Sequence, residues 1–332
     1  MKNTIVDAMR DAIRSQMKKD PNVFVIGEDV GVGGTFYLTV GLQKEFGKDR
    51  IIDTPISEAG FTGLSIGAAI AGMRPIVDFQ YGDFVIPAAE QIIQSACKFH
   101  HMSGGQVRVP IVIHAPTGAG GRGAQHTTQI ENTFFGTPGL IIGVPSTAYD
   151  AKGMLNTAIR CNNPVMICVH KHLYGAKDRE LEIGQGVISE VPQEDYEIPL
   201  GKGIIRRKGK DITIVSASLM THRSISASEL LMKNGIDAEI IDLRWLTPMD
   251  FDLVIESVVK TGRLLVVEEG PRHGGWSATV AAYVAEYGLS YLDSPILRVA
   301  GADIPLPFGP LEKNFVPQVQ TIYDAAVKLV KG

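Results

Sequence analysis

The sequence predicts an α/β protein of two domains, each built on a mostly parallel sheet that is covered by helices on both faces. Its 332 residues are enough for about two domains at roughly 150 residues each. Short apolar runs alternate with helical patterns in both halves, and a charged, irregular stretch separates the halves. The net charge of −4 and the 45% hydrophobic content exclude a disordered tail and a basic nucleic-acid-binding protein.

The first half is predicted to begin with a helix within residues 1–20, because Ile5, Met9, Ile13 and Met17 recur at helical intervals. Short, continuously apolar runs are typical of strands that are buried on both faces of a parallel sheet. Such runs predict strands at 23–26, 75–79, 110–113, 140–144 and 164–169. The segments between them predict helices at 60–71, 86–101 and 151–160.

The second half repeats this alternation after residue 199. Strands are predicted at 211–216, 238–242 and 264–268, and helices at 224–234, 250–261 and 276–287. The preceding stretch has no hydrophobic period and contains several charged residues, which is typical of a linker. We therefore expect a first domain at 1–175, a linker at 176–199 and a second domain at 200–332.

The three cysteines, Cys97, Cys161 and Cys168, are odd in number and lack C-x-x-C spacing, which argues against a disulfide framework and a structural zinc site. The N-terminal residues lack the pattern of a leader peptide. The longest apolar stretch, at 64–73, is too short to cross a bilayer. These features predict a cytoplasmic protein that does not enter a membrane.

A glycine pattern, Gly118-x-Gly120-x-x-Gly123, follows the predicted strand at 110–113 and matches the fingerprint of dinucleotide-binding proteins. That fingerprint needs a helix that opens at the third glycine and an acidic residue about 20 positions later, at the end of the next strand. Here polar residues follow Gly123, and the predicted strand at 140–144 ends without Asp or Glu. A dinucleotide-dependent oxidoreductase is therefore kept only as an alternative.

Glu58 lies at the N-terminus of the predicted helix at 60–71. The helix dipole stabilises a carboxylate in this place by about 0.3–1 kcal/mol, so Glu58 beside a Ser57 cap has a purely structural explanation. The helix, however, is rich in Gly, Ala, Ser and Ile, and we expect it to be buried, with Glu58 facing a dry crevice. A carboxylate in such a place needs a specific partner.

Blocks along nearly the whole chain resemble one family. They include Gly27-Glu28-Asp29-Val30, residues 53–58 around Glu58, Gln125-His126 and Val267-Glu268-Glu269-Gly270. In this order they resemble the β subunit of the thiamine-diphosphate-dependent, decarboxylating component of 2-oxo acid dehydrogenase complexes, a group that covers pyruvate, branched-chain and acetoin dehydrogenases. The resemblance implies a transketolase-like pyrimidine-binding domain followed by a transketolase C-terminal-like α/β domain.

The resemblance also implies a role for four residues at the aminopyrimidine ring of the cofactor. Glu58 matches the glutamate that hydrogen-bonds N1′ and favours the imino form of the 4′-amino group, which removes the thiazolium C2 proton. Ile56, Gln80 and Phe84 match the pyrimidine pocket, in which Phe84 would stack on the ring. Without the resemblance, Phe84 is more simply interpreted as a core residue.

His126 matches a family histidine near the thiazolium, suited to bind the substrate carboxylate or to donate a proton during acyl transfer to a lipoyl arm. The glycine-rich residues at 119–123 before it predict a mobile lid. The family also has a potassium site of backbone carbonyls, which maps to Ile111, Ala158, Ile159, Cys161 and Asn163. Because Cys161 stands where an acidic residue is usual, the resemblance leaves this ion open.

The chain contains no Gly-Asp-Gly, the motif with which the α subunit of the family anchors the diphosphate through Mg²⁺. We therefore expect half of a cofactor site, an α2β2 heterotetramer with an α subunit, and no activity without it. Other expected partners are a small 2-oxo acid and a lipoylated acyltransferase. The function expected first is that of a pyruvate dehydrogenase-type β subunit. The alternatives are a branched-chain or acetoin dehydrogenase subunit and a non-catalytic interaction subunit.

Overall fold

A computed structural model describes residues 2–175 and 189–332 of the chain. The first half contains strands β1 Lys2–Asn3, β2 Val23–Gly27, β3 Ile51–Asp53, β4 Arg74–Asp78, β5 Val112–Thr117, β6 Ile141–Gly143 and β7 Val165–His170. Its α-helices are α1 Ile5–Lys19, α2 Leu42–Phe46, α3 Glu58–Ile70, α4 Phe99–Met102, α5 Ile130–Phe134 and α6 Ala148–Arg160.

The second half contains strands β8 Ser189–Glu190, β9 Ile204–Arg207, β10 Ile212–Ser216, β11 Ala238–Asp242, β12 Trp245–Thr247, β13 Leu264–Pro271 and β14 Leu297–Gly301. Its α-helices are α7 Leu219–Lys233, α8 Phe251–Thr261, α9 Trp276–Tyr287 and α10 Val319–Lys331. Most bounds lie within two residues of the predicted ones. Helix α7 begins five residues earlier than predicted, directly after Ser218, whose φ of 53° interrupts the preceding extended backbone.

Two large sheets organise these elements. The first has the strand order β12-β6-β7-β5-β4-β2-β3, and all its neighbours are parallel except β12 with β6. The second has the order β14-β13-β10-β11-β9, and only β9 is antiparallel to its neighbour. Helices pack against both sheets, so the predicted α/β class with mostly parallel sheets is confirmed.

Helix α1 shows why the amphipathic pattern folds as predicted. Thr4 is its N-cap, and the Thr4 hydroxyl accepts a hydrogen bond from the Asp7 N–H at 3.2 Å. The apolar side chains at helical spacing, among them Ile5 and Met9, are fully buried against the first sheet and α6. A buried hydrogen bond of 2.9 Å from Gln16 Nε2 to Asn156 Oδ1 fixes the register of α1 on α6.

The prediction of one continuous helix at 86–101 is wrong. The chain forms a 3₁₀ segment Gly82–Ala88, a π-helical segment Gln91–Ala96 and then the short helix α4. Pro87 lies inside the first of these segments and has no N–H to donate, so a regular α-helix cannot pass through it. Strands β9, β12 and β14 and helix α10 were not predicted.

A strand pairing and buried ion pairs connect the two halves of the chain, in addition to the linker. Strand β12 belongs to the second half of the chain but pairs with β6 at the edge of the first sheet, and the Trp245 side chain is fully buried there. Asp150 of α6 is completely buried and forms ion pairs with Arg206 and with Arg244, the latter at 2.7 Å. The domain limits at 175 and 200 therefore stay a prediction.

Residues 176–188 of the predicted linker lie outside the described residues. The described part packs on the first half, because β8 pairs with β1 and the Ile198 carbonyl accepts a hydrogen bond of 2.8 Å from the Thr157 hydroxyl. Within 2–175 and 189–332, no helix has the length and apolar character that a bilayer crossing requires.

Candidate active site at the carboxyl edge of the first sheet

The candidate site residues follow the carboxyl ends of adjacent parallel strands. Glu28 follows β2, Glu58 follows β3, Phe84 follows β4 and His126 follows β5. Since β5, β4, β2 and β3 are neighbours in that order, their carboxyl ends lie side by side. This edge of an open parallel sheet is the usual place for a ligand-binding crevice.

Glu58 is the first residue of α3 and is half-buried. Ser57 occupies the N-cap position, but its side chain accepts no capping hydrogen bond, so the predicted Ser57 cap is wrong. Burial, and then the negative charges of Glu58 and Asp29, raise the pKa of Glu28. Within the described residues Glu28 Oε1 has no hydrogen-bond partner and so keeps unused acceptor capacity. Because the charge of Glu58 acts on Glu28, the two residues are called the acidic pair.

Within this single chain, helix α3 is buried on one face only, so its predicted burial is met in part. Phe61, Ser65 and Ile66 face the core, whereas Leu64 is 59% exposed and Ile70 is 43% exposed. Ile56, which precedes the helix, is 82% exposed. One side of the predicted crevice is therefore an open apolar surface.

An aromatic cluster forms the second part of the site. The His126 ring lies edge-on to Tyr81, with ring centroids 4.6 Å apart, and edge-on to Phe84 at 5.6 Å. Tyr81 and Phe84 are 5.8 Å apart. Gln80 Nε2 donates a 2.9 Å hydrogen bond to Asp29 Oδ2, which connects this cluster to the acidic pair of Glu28 and Glu58.

The glycine-rich loop before His126 is anchored to the second half of the chain. The Glu312 carboxylate accepts the backbone N–H of Gly120 at 3.2 Å and that of Gly121 at 2.9 Å. Glu269 Oε1 accepts the N–H of Ala119 at 2.6 Å. These amides are the groups with which a dinucleotide fingerprint would bind phosphate, so their occupation gives the dinucleotide alternative no support.

Beneath the loop lies a buried network of acidic residues. His170 Nε2 is 2.9 Å from both carboxylate oxygens of Glu269. Burial by itself raises the pKa of Glu269, but His170 and the Ala119 N–H outweigh burial and hold that pKa far below its usual range. The neighbouring Glu131 has no such cation, and burial raises its pKa to about 7. The network thus contains one carboxylate that is firmly charged and one that titrates near neutral pH.

The carbonyls of the predicted potassium site are partly engaged. Arg74 Nη1 donates to the carbonyl oxygens of Ile159 at 2.9 Å and Cys161 at 3.0 Å. The Cys161 N–H donates to the Ala158 carbonyl at 3.2 Å, and the Ile111 carbonyl also accepts a backbone hydrogen bond. Each carbonyl keeps a second lone pair, so a cation can still bind, but it would do so beside the positive guanidinium of Arg74.

Comparison with known proteins identifies the family. Residues 2–177 match the family "Transketolase, pyrimidine binding domain", and residues 201–322 match "Transketolase, C-terminal domain". The chain is 43% identical over 330 residues to the 2-oxoisovalerate dehydrogenase subunit beta of Bacillus subtilis, covering 98% of each chain. The chain belongs to the β subunits of 2-oxo acid dehydrogenase E1 components.

Other relatives agree with this assignment. The pyruvate dehydrogenase E1 component subunit beta of Bacillus subtilis is 39% identical, with 99% of this chain and 98% of the relative covered. The protein of the same name from Rickettsia bellii is 42% identical, with 99% of each covered. A solved split gene transketolase, described as an inactive beta4 tetramer, has a TM-score of 0.79 at 24% identity and covers 99% of this chain and 98% of its own; it supports the fold.

Members of this E1 family imply thiamine diphosphate as cofactor, and the site fits one end of that molecule. Glu28 offers a carboxylate oxygen without a hydrogen-bond partner in the described residues, Glu58 offers a half-buried carboxylate, and Phe84 offers an aromatic ring at the same edge of the sheet. In the part of the chain that the structure describes, no group of three His, Cys, Asp or Glu residues could hold a metal ion. Carboxylate acceptors and an aromatic ring are groups that suit the aminopyrimidine end of the cofactor.

Two residues of the site were not assigned a role from the sequence. In the sequence Glu28 is marked only by its place in a family block. Its burial near Glu58 depends on the pairing of β2 with β3, which the local sequence does not show. Tyr81 contacts both His126 and Phe84, although nothing in its local sequence marks it. The one sequence feature that points to Tyr81 is its position next to Gln80, shortly after the buried strand β4.

Proposed function

We propose that this β subunit acts with an α subunit to decarboxylate a small 2-oxo acid, in the first instance pyruvate, and to transfer the acyl group to a lipoyl arm. The relatives named for pyruvate and 2-oxoisovalerate support a 2-oxo acid substrate. The observation that carries the proposal is the convergence of Glu58, Phe84 and His126 at one edge of the sheet. The domain limits at 175 and 200 and all site roles form part of this proposal.

Thiamine diphosphate, when bound, supplies the electron sink that a 2-oxo acid needs to lose CO₂. Glu58 would hold a proton at N1′ of the pyrimidine, and Phe84, Ile56 and Gln80 would fix the orientation of the ring. The half-buried place of Glu58 limits competition from water for that proton. His126 would donate a proton while the acyl group is transferred to the dithiolane.

The α subunit is proposed to hold the diphosphate and Mg²⁺, because this chain has no Gly-Asp-Gly. An exposed apolar surface beside the site supports a subunit contact there. It consists of Ile56, Leu64, Ile70 and Ile86, which are 43% to 82% exposed. Soluble monomers rarely leave such a surface uncovered. We propose α2β2 as the assembly, a lipoylated acyltransferase as the acceptor of the acyl group, and the cytoplasm as its location.

The test uses the β chain co-expressed with its α subunit and assayed for 2-oxo acid-dependent reduction of an artificial electron acceptor. The Glu58→Gln complex should lose at least about a hundredfold in kcat, the usual size of a lost acid–base contribution. Glu229→Gln, an exposed glutamate on α7, is the matched control and should stay at the wild-type rate. A Glu58→Gln complex within twofold of wild type would instead support the non-catalytic alternative.

The same assay addresses the substrate. Pyruvate, 2-oxoisovalerate and acetoin are compared by kcat/KM in one preparation, and pyruvate is expected to give the largest value. Clear preference for one of the others would assign the chain to the branched-chain or acetoin alternative. The isolated β chain should be inactive with all three, and unaided turnover would contradict the shared site.

A further inference from the structure

A basic pocket lies beside Tyr81, whose ring is close to Phe36, Arg122 and Lys171 of the pocket lining. Its volume is about 370 Å³, and its walls include Phe36, Tyr37, Arg122, Lys171 and Tyr174. Phe36 and Tyr174 are stacked with ring centroids 4.6 Å apart. Among its described lining residues, basic side chains are present and carboxylates are not.

Lys171 is the unusual member of this lining. It follows the last residue of β7, is only 5% exposed, and its Nζ has no hydrogen-bond partner within the described parts of the chain. Burial lowers its pKa to about 8, so the amine is still mostly protonated at neutral pH. A buried ammonium group without a partner is costly, and the cost falls when an anion reaches it.

Four carboxylates influence Lys171, and three of them are engaged by other groups. They are Asp83, Glu269, Glu131 and Glu312, and none of them forms an ion pair with Lys171 in the described residues. Glu312 accepts the loop amides, Glu269 is paired with His170, and Glu131 accepts the Thr117 hydroxyl. Asp83 Oδ1 accepts the Thr128 N–H, whereas Asp83 Oδ2 is buried and has no hydrogen-bond partner within the described residues. These groups keep Lys171 charged without using its hydrogen-bond donors.

A second cation approaches the same place. Lys171 Nζ and Arg122 Cζ each lie 5.9 Å from the centroid of the Tyr81 ring. Arg122 is exposed and lies in the loop that carries His126. Two cationic groups around one aromatic ring repel each other unless an anion is shared between them, and together they can bind a carboxylate or phosphate from two sides.

We propose that this pocket binds the anionic group, carboxylate or phosphate, of a small metabolite, with Lys171 and Arg122 as its two cationic ligands. The stacked rings of Phe36 and Tyr174 would contact the apolar part of the ligand. The Tyr81 ring contacts both Phe36 of the pocket and His126 of the candidate site, with ring centroids 5.6 Å and 4.6 Å apart. The anion is therefore either the carboxylate of a 2-oxo acid on its way to the site, which rests on the proposed function, or that of a separate effector, which does not.

Binding is measured by calorimetry on the full-length β chain, with inorganic phosphate and with pyruvate as probes. The wild type should bind at least one of them. Lys171→Met and Arg122→Gln should each weaken that binding at least tenfold, and Arg122→Lys, which keeps the charge, should weaken it less. Arg108→Gln, an exposed arginine outside the pocket, is the control and should bind as the wild type does. A wild type that binds neither probe, or two neutral variants that bind as tightly as the wild type, would overturn the proposal.

Thermal unfolding without added anion gives a second readout. Because Lys171 is a buried charge without a partner, Lys171→Met should unfold at the same or a higher temperature than the wild type. A pronounced fall would show that the amine already has a structural partner, and it would count against the site. If Lys171→Met does not fold, anion binding by the Arg122→Gln variant, which changes an exposed residue, still tests the proposed site.

The origin of the anion is settled with the assembled complex. Competitive inhibition of decarboxylation by phosphate would assign the pocket to the carboxylate of the substrate, whereas phosphate binding without competition would assign it to a separate effector. Both results uphold the anion site. An inactive wild-type complex whose β chain still binds phosphate would count against the proposed function alone.

Discussion

Both carboxylate oxygens of Glu312 lie 2.9 Å from the backbone nitrogen of Gly121. The two residues are far apart in the sequence and belong to different halves of the molecule. Through this contact the segment before α10 fixes the loop that carries Arg122 and His126, so the second half takes part in shaping the candidate site.

Glu312→Ala should free this loop. The half-buried amides of Gly120 and Gly121 would lose their charged acceptor, which costs about 1–3 kcal/mol of folding stability. Hydrogen exchange in residues 118–126 should accelerate, and acyl transfer to a lipoyl domain should fall about tenfold as His126 loses its fixed position. Lys313→Ala, at the exposed neighbouring residue, should change neither measurement. Unchanged exchange in Glu312→Ala would show that the loop is held by other contacts.

His126→Ala should separate the two chemical steps. The residue is proposed to assist acyl transfer, so transfer to a lipoyl domain should fall by about 10²–10³, while decarboxylation followed with an artificial acceptor should fall much less. Single-turnover kinetics on the α2β2 complex would measure both steps. Equal loss in both would place His126 in the decarboxylation step instead.

Gly118→Ala should be strongly destabilising. Gly118 has a φ of 86°, and an added Cβ would lie 2.2 Å from His170 Cδ2 and 2.9 Å from Glu269 Oε1. The strained backbone and the displaced His170–Glu269 pair should together cost at least about 2 kcal/mol in urea unfolding. Gly67→Ala in α3, where a Cβ meets nothing within 4 Å, is the control and should add about 0.5–1 kcal/mol. A stable Gly118→Ala chain would show that the loop can shift.

Glu131 should make folding stability depend on pH. Its pKa is raised from 4.5 to about 7, so the folded state binds a proton more tightly than the unfolded state. Its contribution is complete below about pH 4.5 and is lost as pH rises through 7, up to about 3 kcal/mol in total. In urea titrations between pH 5 and 8, Glu131→Gln should lack this component and should be the more stable protein at pH 8. Parallel curves for both proteins would contradict a shifted Glu131.

Potassium should stabilise the wild type only slightly. The guanidinium of Arg74 already donates to the Ile159 and Cys161 carbonyls, which reduces the negative potential that would attract the ion. Replacing choline chloride with KCl at equal ionic strength should raise the unfolding temperature by at most about 2 °C. Cys161→Asp restores a negative charge and should increase that effect. An equal response in both proteins would show that residue 161 has no part in binding the ion.

Much of the fold could be predicted because its signals are local. The buried parallel strands appear as uninterrupted apolar runs, and α1 has its own cap and apolar face. The features that were missed depend on distant partners. Strand β12 has three residues, too few for a pattern, and it forms only because β6 offers an edge.

In the candidate site, too, residues with a local sequence signal could be predicted, and residues that depend on distant partners could not. The family resemblance predicts roles for Glu58, Phe84 and His126, and the three residues follow neighbouring strands at one edge of the sheet, while their roles stay predictions. The roles of Glu28, Lys171 and Glu312 could not be assigned, since each depends on a neighbour that only the strand order or the second half provides. The mobility of the loop at 119–123 stays a prediction. Glu269 and Glu312, which accept its backbone amides, lie in the second half of the chain and cannot be read from the local sequence.

Strand β12 belongs to the second half of the chain but completes the sheet of the first half. The chain therefore cannot be cut between its two halves without exposing a strand edge. A fragment that stops near residue 200 would leave the edge of β6 without its partner and would leave a gap where the Trp245 indole is buried. Unpaired strand edges associate with one another, so such a fragment should aggregate. Gene splitting, circular permutation or fusion at the apparent boundary would therefore succeed only if both pieces are made together.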